Sequence, residues 1–186
     1  GRALATPFAI QVSDDDRTLV VSSAGSDKLF TIDAASGGVL GRVAVGAVPR
    51  GIALESAESG KASRAWVLNA VANTVSVVDV SDPANPVEVF KLLPSDGVFD
   101  DYFGYSVAIS GNTAIVGAFN GDDNGSNSGS AYLFDTTTGT QIAKLLPSDG
   151  ASNDNFGLSV AISGTTALVG ANQDDDNGFN SGSAYL

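Results

Sequence analysis

The segment "KLLPSDGVFDDYFGYSVAISGNTAIVGA" that begins at Lys91 returns from Lys144 as "KLLPSDGASNDNFGLSVAISGTTALVGA", aligned without a gap at a spacing of 53 residues. A gapless repeat constrains the fold strongly, because each copy must form the same supersecondary unit and bury its apolar faces against its neighbours. Alternation of apolar and polar or small residues predicts a strand at "YSVAIS", a second at "TAIVGA" and a third at "SAYLFD", with "TQIAKLL" as a fourth leading onward. Ser110-Gly111 and Ser163-Gly164 supply the tight connection between the first two strands.

Residues 1–90 repeat more loosely, with a period near 42: the segment from Pro7 is followed by a comparable one from Pro49. Each holds four short alternating runs, for example "FAIQVS", "TLVVSS", "KLFTID" and "VLGRVAV". The two repeat types share one rule, an aliphatic or aromatic residue followed by Asp at the end of the third strand: Ile32-Asp33, Val78-Asp79 and Phe134-Asp135. Four-stranded antiparallel units at this period are the signature of β-propeller blades. The expected fold is therefore all-β: about four blades of four antiparallel strands, the last incomplete, forming part of a larger propeller. Two blades are assigned to residues 1–90 and two to 91–186. A β-sandwich is the alternative, but sandwich strands are not normally copies of one another. The chain begins with Gly1 and has no Met, so it reads as a portion of something longer.

Composition narrows the chemistry. Without Cys there are no disulfides or thiolate metal sites, and without His the commonest general base and zinc ligand are gone. The net charge of −12 is concentrated in the second half, where 2 Lys/Arg stand against 11 Asp/Glu, compared with 7 against 10 in residues 1–90. That surface repels phosphate backbones, which argues against nucleic acid as a partner and makes divalent cations the natural counterions. No apolar run approaches a membrane span, so no membrane insertion is expected.

The motifs "FGYSVAISGNTAIVGA" and "FGLSVAISGTTALVGA" resemble FG-GAP repeats, the blade type of the integrin α-subunit head and of many bacterial surface proteins. Phe103-Gly104 and Phe156-Gly157 carry the Phe-Gly, and the later element reads Gly117-Ala118-Phe119 and Gly170-Ala171-Asn172, without its Pro. Residues 7–90, through "RTLVVSSAGSDKLFTIDAASGGVL" and "VLNAVANTVSVVDV", resemble YVTN-type propeller repeats. Both resemblances imply an extracellular, cell-surface or periplasmic setting and binding or scaffolding roles.

The FG-GAP resemblance also implies a calcium loop between the second and third strands. A D-x-D-x-D-G frame wraps alternate oxygen ligands around Ca²⁺ while Gly makes the turn. Here the frame falls on Asn120, Asp122, Asn124, Gly125 and Ser128, and again on Gln173, Asp175, Asn177, Gly178 and Ser181. Asp123, Asp174 and Asp176 lie out of frame but within reach if the loop is set one residue differently. With one in-frame carboxylate per loop, affinity would fall in the weak range of about 0.1–1 mM. Turn chemistry alone accounts for the same pattern, since Asn and Gly tolerate positive φ and Asp caps its own backbone.

Other candidates read as structural. "SDDDR" at Ser13–Arg17 is a hairpin turn, and Trp66 is core. Tyr102, Phe103 and Tyr105 are expected to pack between blades, with an exposed aromatic patch as the alternative. The function expected is a non-enzymatic module for adhesion, scaffolding or recognition of a protein or glycan at a propeller rim. Two rivals remain: a surface-assembly subunit that self-associates through its incomplete last blade, and a fragment of a propeller lyase.

Overall fold

Three features recur in the local structure of the blades: alternating side chains, Gly-containing turns and, in the first three blades, an Asp at the end of the third strand. In the computed structural model, which describes residues 6–186, they produce fifteen strands. The first blade is β1 (Pro7–Val12), β2 (Thr18–Ser23), β3 (Lys28–Asp33) and β4 (Val39–Ala44). The second is β5 (Pro49–Ser56), β6 (Ala62–Asn69), β7 (Thr74–Asp79) and β8 (Val87–Leu92). The third is β9 (Ser106–Ser110), β10 (Thr113–Ala118), β11 (Ser130–Asp135) and β12 (Gln141–Leu145). The fourth is β13 (Phe156–Ser163), β14 (Thr166–Ala171) and β15 (Ser183–Tyr185). Each sheet is an antiparallel meander in chain order, the first three of four strands and the last of three. Gly1 and the rest of residues 1–5 lie outside the described residues.

The shared Asp has one job in all three four-stranded blades. Asp33 Oδ1 accepts hydrogen bonds from the backbone N–H and the hydroxyl of Ser36, Asp79 Oδ1 from those of Ser81, and Asp135 Oδ1 from those of Thr137. This Asx turn closes the hairpin between the third and fourth strands. A register shift follows in the same place each time, between Thr31 and Ile32, Val77 and Val78, and Leu133 and Phe134. The hairpin at Ser13–Arg17 is closed likewise, with Ser13 Oγ donating to Asp15 Oδ1 at 2.6 Å.

The chain divides into two compact units, meeting at Leu92 and Leu93. In the first, Val20, Leu29, Ile52, Ala65, Val67 and Val78 form a core between two blades, and Trp66 is fully buried as expected. Thr31 Oγ1 donates to the Pro83 carbonyl at 2.5 Å, and a Cβ on Gly41 would fall on that same oxygen.

In the second unit, Ile115, Ala131, Phe156, Val169 and Ala171 form the core between blades. Here the Phe-Gly motif finds its use. Backbone N–H groups of Asn153, Asn155 and Phe156 donate to the carbonyls of Ser126, Asn127 and Ser128, so the start of the fourth blade pairs with the loop of the third. The approach is so close that Cβ atoms on Gly117, Gly129 and Gly157 would each meet backbone of the neighbouring blade. Among the described residues no helix is long and apolar enough to cross a membrane.

Gly129 adopts φ +84° against Phe156, whereas Gly164 adopts φ +58° in open space. Gly129→Ala should therefore cost more than about 2 kcal/mol, and Gly164→Ala only about 1 kcal/mol. Denaturant unfolding of the two variants measures the difference.

Candidate functional site

The predicted acidic loops connect β10 to β11 and β14 to β15. In the first, side chains that could face one ion are directed to separate partners. Asn120 Nδ2 donates to the Asp100 carbonyl at 2.9 Å, and Asn124 Nδ2 to that of Pro147 at 3.2 Å. Asp122 Oδ1 accepts from the Asn127 N–H at 2.8 Å, and Ser128 Oγ accepts from the Asn124 N–H at 3.0 Å. Asp123 turns outward, and its Oδ1 lies 2.5 Å from Lys144 Nζ.

Lys144 is the cation of this loop. From β12 it also reaches Asp96 Oδ2 at 2.6 Å and lies over the Tyr132 ring, 5.3 Å from the centroid. The Tyr132 hydroxyl donates to the other oxygen of Asp96 at 3.0 Å. Burial opposes the ammonium charge, but the bonds to Asp123 and Asp96 outweigh it and raise Lys144 above the ordinary lysine range. The same bond from Lys144 holds the Asp96 carboxyl below its usual value. In this arrangement the out-of-frame carboxylate Asp123 is engaged by an ammonium, and the side-chain amides of Asn120 and Asn124 donate to backbone carbonyls. Among the described residues, no three Asp, Glu, His or Cys side chains are arranged to hold a metal.

The second loop repeats the backbone with different charges. Asp175 Oδ1 accepts from the Asn180 N–H at 2.6 Å, and the Asn177 N–H donates to Ser181 Oγ at 3.3 Å. Asp174, where the first loop has Gly121, is buried and accepts from the Asp176 N–H at 3.0 Å and from the Tyr185 hydroxyl. That hydroxyl bond lowers the Asp174 pKa, whereas the charges of Asp174 and then Asp149 raise that of Asp176.

Beside the first loop the structure shows a feature for which the sequence reading favoured another role. Phe103 is indeed buried, edge-on to Tyr132 and Phe134 at 5.5 and 5.8 Å. Tyr102 and Tyr105 gather instead on an aromatic neighbour of their own blade. They are 41% and 52% exposed and close on Phe119, with centroid distances of 5.2 and 4.6 Å. Val98 and Phe99, earlier in the same loop, are also exposed. The loop that carries them is held by buried Asp101, whose Oδ2 accepts from the Val98 N–H at 2.7 Å and whose pKa is raised by that burial.

The backbone beneath this patch is strained. Asp100 and Tyr102 adopt φ +71° and +55°, and their counterparts 53 residues on, Asn153 and Asn155, adopt +73° and +58°. Asn tolerates the left-handed region, whereas Tyr there costs on the order of 1 kcal/mol or more. The comparison of copies is the signal that could have found this site: Tyr102, Tyr105 and Phe119 are replaced by Asn155, Leu158 and Asn172.

The sequence family described as FG-GAP repeat matches residues 86–134 and 140–186, just over half of the chain. The chain belongs to the FG-GAP repeat family. No curated protein matches it in sequence. Among solved structures, this FG-GAP chain is similar to Kuenenia stuttgartiensis hydrazine synthase, at 25% identity and TM-score 0.65 over 91% of this chain and 42% of that one. It is also similar to the β-propeller domain of Myceliophteria thermophila Cps50 (Swd1), at 15% identity and TM-score 0.65 over 89% and 49%. The computationally designed Ika8 protein matches at 15% and 0.65 over 90% and 43%. The FG-GAP chain thus spans less than half of each of these solved chains, and the likeness establishes a propeller fold.

Lys144→Met should lower stability by roughly 1–2 kcal/mol, since it strips a partly buried ammonium from two carboxylates. The Asp96 share of that loss is present above its unfolded value of 3.8 and fades as pH falls below it. The Lys144 share is complete below 10.5 and fades as pH rises through the elevated folded value. Thermal melts of both proteins across that range test this.

Proposed function

We propose that this FG-GAP chain is a non-enzymatic recognition module of the extracytoplasmic space, serving adhesion or scaffolding, which binds a protein or glycan through the aromatic surface of its third blade. The observation that carries this reading is the strained, exposed Tyr102 stacked on Phe119. Strain kept where Asn would relieve it points to a use outside folding. Tyrosine rings offer a broad apolar face and a hydroxyl at little entropic cost, which suits them to peptide segments and to sugar faces alike.

Several observations support the class. The chain has no His or Cys, which disfavours the lyase alternative within these residues. The first two blades, which resemble the YVTN type, serve in this reading as scaffold. Lys144 meets the cation demand of the first loop, so recognition does not depend on calcium.

Screening against glycan and matrix-protein arrays should give a binder that a Tyr102→Asn/Tyr105→Leu double variant, carrying the residues of the second copy, loses at least tenfold, while its melting midpoint stays at or above that of wild type. Undiminished binding by the folded double variant would sink the assignment of the surface.

A further inference from the structure

Four neighbouring positions of the third blade differ from their counterparts 53 residues on. Tyr102, Tyr105 and Phe119 stand where the fourth blade has Asn155, Leu158 and Asn172, and Asp100 stands where it has Asn153. The backbone does not require the last exchange, because Asp100 and Asn153 adopt φ +71° and +73°. The Asp100 carbonyl accepts from Asn120 Nδ2 at 2.9 Å, and Asn120 directly follows Phe119, so the carboxylate belongs to the same place as the rings. Relative to its copy, the third blade thus adds three rings and one negative charge together.

Tyr102 lies nearly parallel on Phe119, with 24° between the ring planes, and makes a flat two-ring platform, while Tyr105 meets Phe119 edge-on at 67°. Asp100 is exposed, and among the described residues it has no ion-pair partner. Charge around it is one-sided: from Leu93 onward eleven Asp stand against Lys144 alone, and Lys144 is held by Asp96 and Asp123. Burial raises the pKa of the adjacent Asp101, and the charge of Asp122 adds to that rise. Main-chain acceptors are taken here, since the carbonyls of Asp100, Asp101 and Tyr102 accept from Asn120 Nδ2, the Asn120 N–H and the Tyr105 N–H. Recognition therefore falls to ring faces, two phenol hydroxyls and one carboxylate, a set better matched to a sugar than to an extended peptide that seeks main-chain partners.

Resting on the reading that this surface binds a ligand, we infer that the ligand is a cationic polysaccharide, a glycan of amino sugars whose amines are free. The apolar face of one pyranose covers the Tyr102 ring, its ammonium pairs with Asp100, and sugar hydroxyls bond the phenols of Tyr102 and Tyr105. The carboxylate supplies the selection. An acidic glycan is repelled by the charge of this unit, and a neutral one leaves Asp100 without a partner.

The probe is a tetramer of glucosamine, titrated into the intact chain in mildly acidic buffer and followed by the ring resonances of Tyr102 and Tyr105. Saturation in the millimolar range is expected, and the N-acetylated tetramer, which keeps the sugar rings but not the charge, should bind at least about fivefold more weakly. Asp100→Asn should weaken the free-amine tetramer comparably without loss of stability, since Asn153 already holds the matching angle. Asp16→Asn, which removes an equal charge at a left-handed residue of the first blade, should not. No saturation, equal binding of the two tetramers, or no effect of Asp100→Asn overturns the proposal. So does a stronger response to the pentapeptide acetyl-Gly-Ser-Arg-Ser-Gly-amide. In each of those cases an array ligand lost by Tyr102→Asn/Tyr105→Leu still upholds the surface as a recognition site, whereas undiminished array binding by that double variant overturns both readings.

Discussion

The second unit depends on the backbone contact between the loop of one blade and the Phe-Gly start of the next. Three consecutive N–H···O=C bonds from Asn153, Asn155 and Phe156 to Ser126, Asn127 and Ser128 would be impossible with side chains at Gly129 and Gly157. Because glycine removes that obstacle, Phe156 can drop into the core with Ile115 and Val169, and burial follows from the backbone approach. The Phe-Gly and Gly-Ala elements of the repeat are thus two halves of one joint, since Gly117 of one copy lies against Gly157 of the next.

This joint also explains why the acidic loops lie where they do. A loop whose far end must pair with the following blade has to be long and turn-rich, and Asp, Asn and Gly supply the left-handed and self-capping conformations it needs. Carboxylates placed there for turn chemistry accumulate charge in a unit whose single Lys or Arg is Lys144. Lys144 is therefore spent on the loop of its own blade. The aromatic surface is a separate feature, built on the same strained backbone but with residues that the second copy lacks.

Much of this was legible in the sequence, and for physical reasons. A period of 53 residues without gaps made the blade the unit, alternation marked strands such as Thr113–Ala118 and Lys28–Asp33, and Ile-Asp, Val-Asp and Phe-Asp marked the end of the third strand. The roles of Asp123, Tyr102 and Tyr105 were not legible. Spacing within a loop cannot say which carboxylate faces a lysine twenty-one residues later, and a Tyr beside a Phe-Gly motif gives no sign of which ring turns inward. That outcome is set by the neighbouring strand and by the backbone angle at Tyr102.

By itself the sequence determined the fold class and the FG-GAP family, because repetition, alternation and turn residues act locally and each copy repeats the same instructions. Tertiary structure alone decided how the loops of the second unit are used, because charge pairing and exposure depend on which strand lies alongside. Where β12 is present its lysine neutralises Asp96 and Asp123. In the fourth blade the loop's Asp174 is held instead by the Tyr185 hydroxyl of β15.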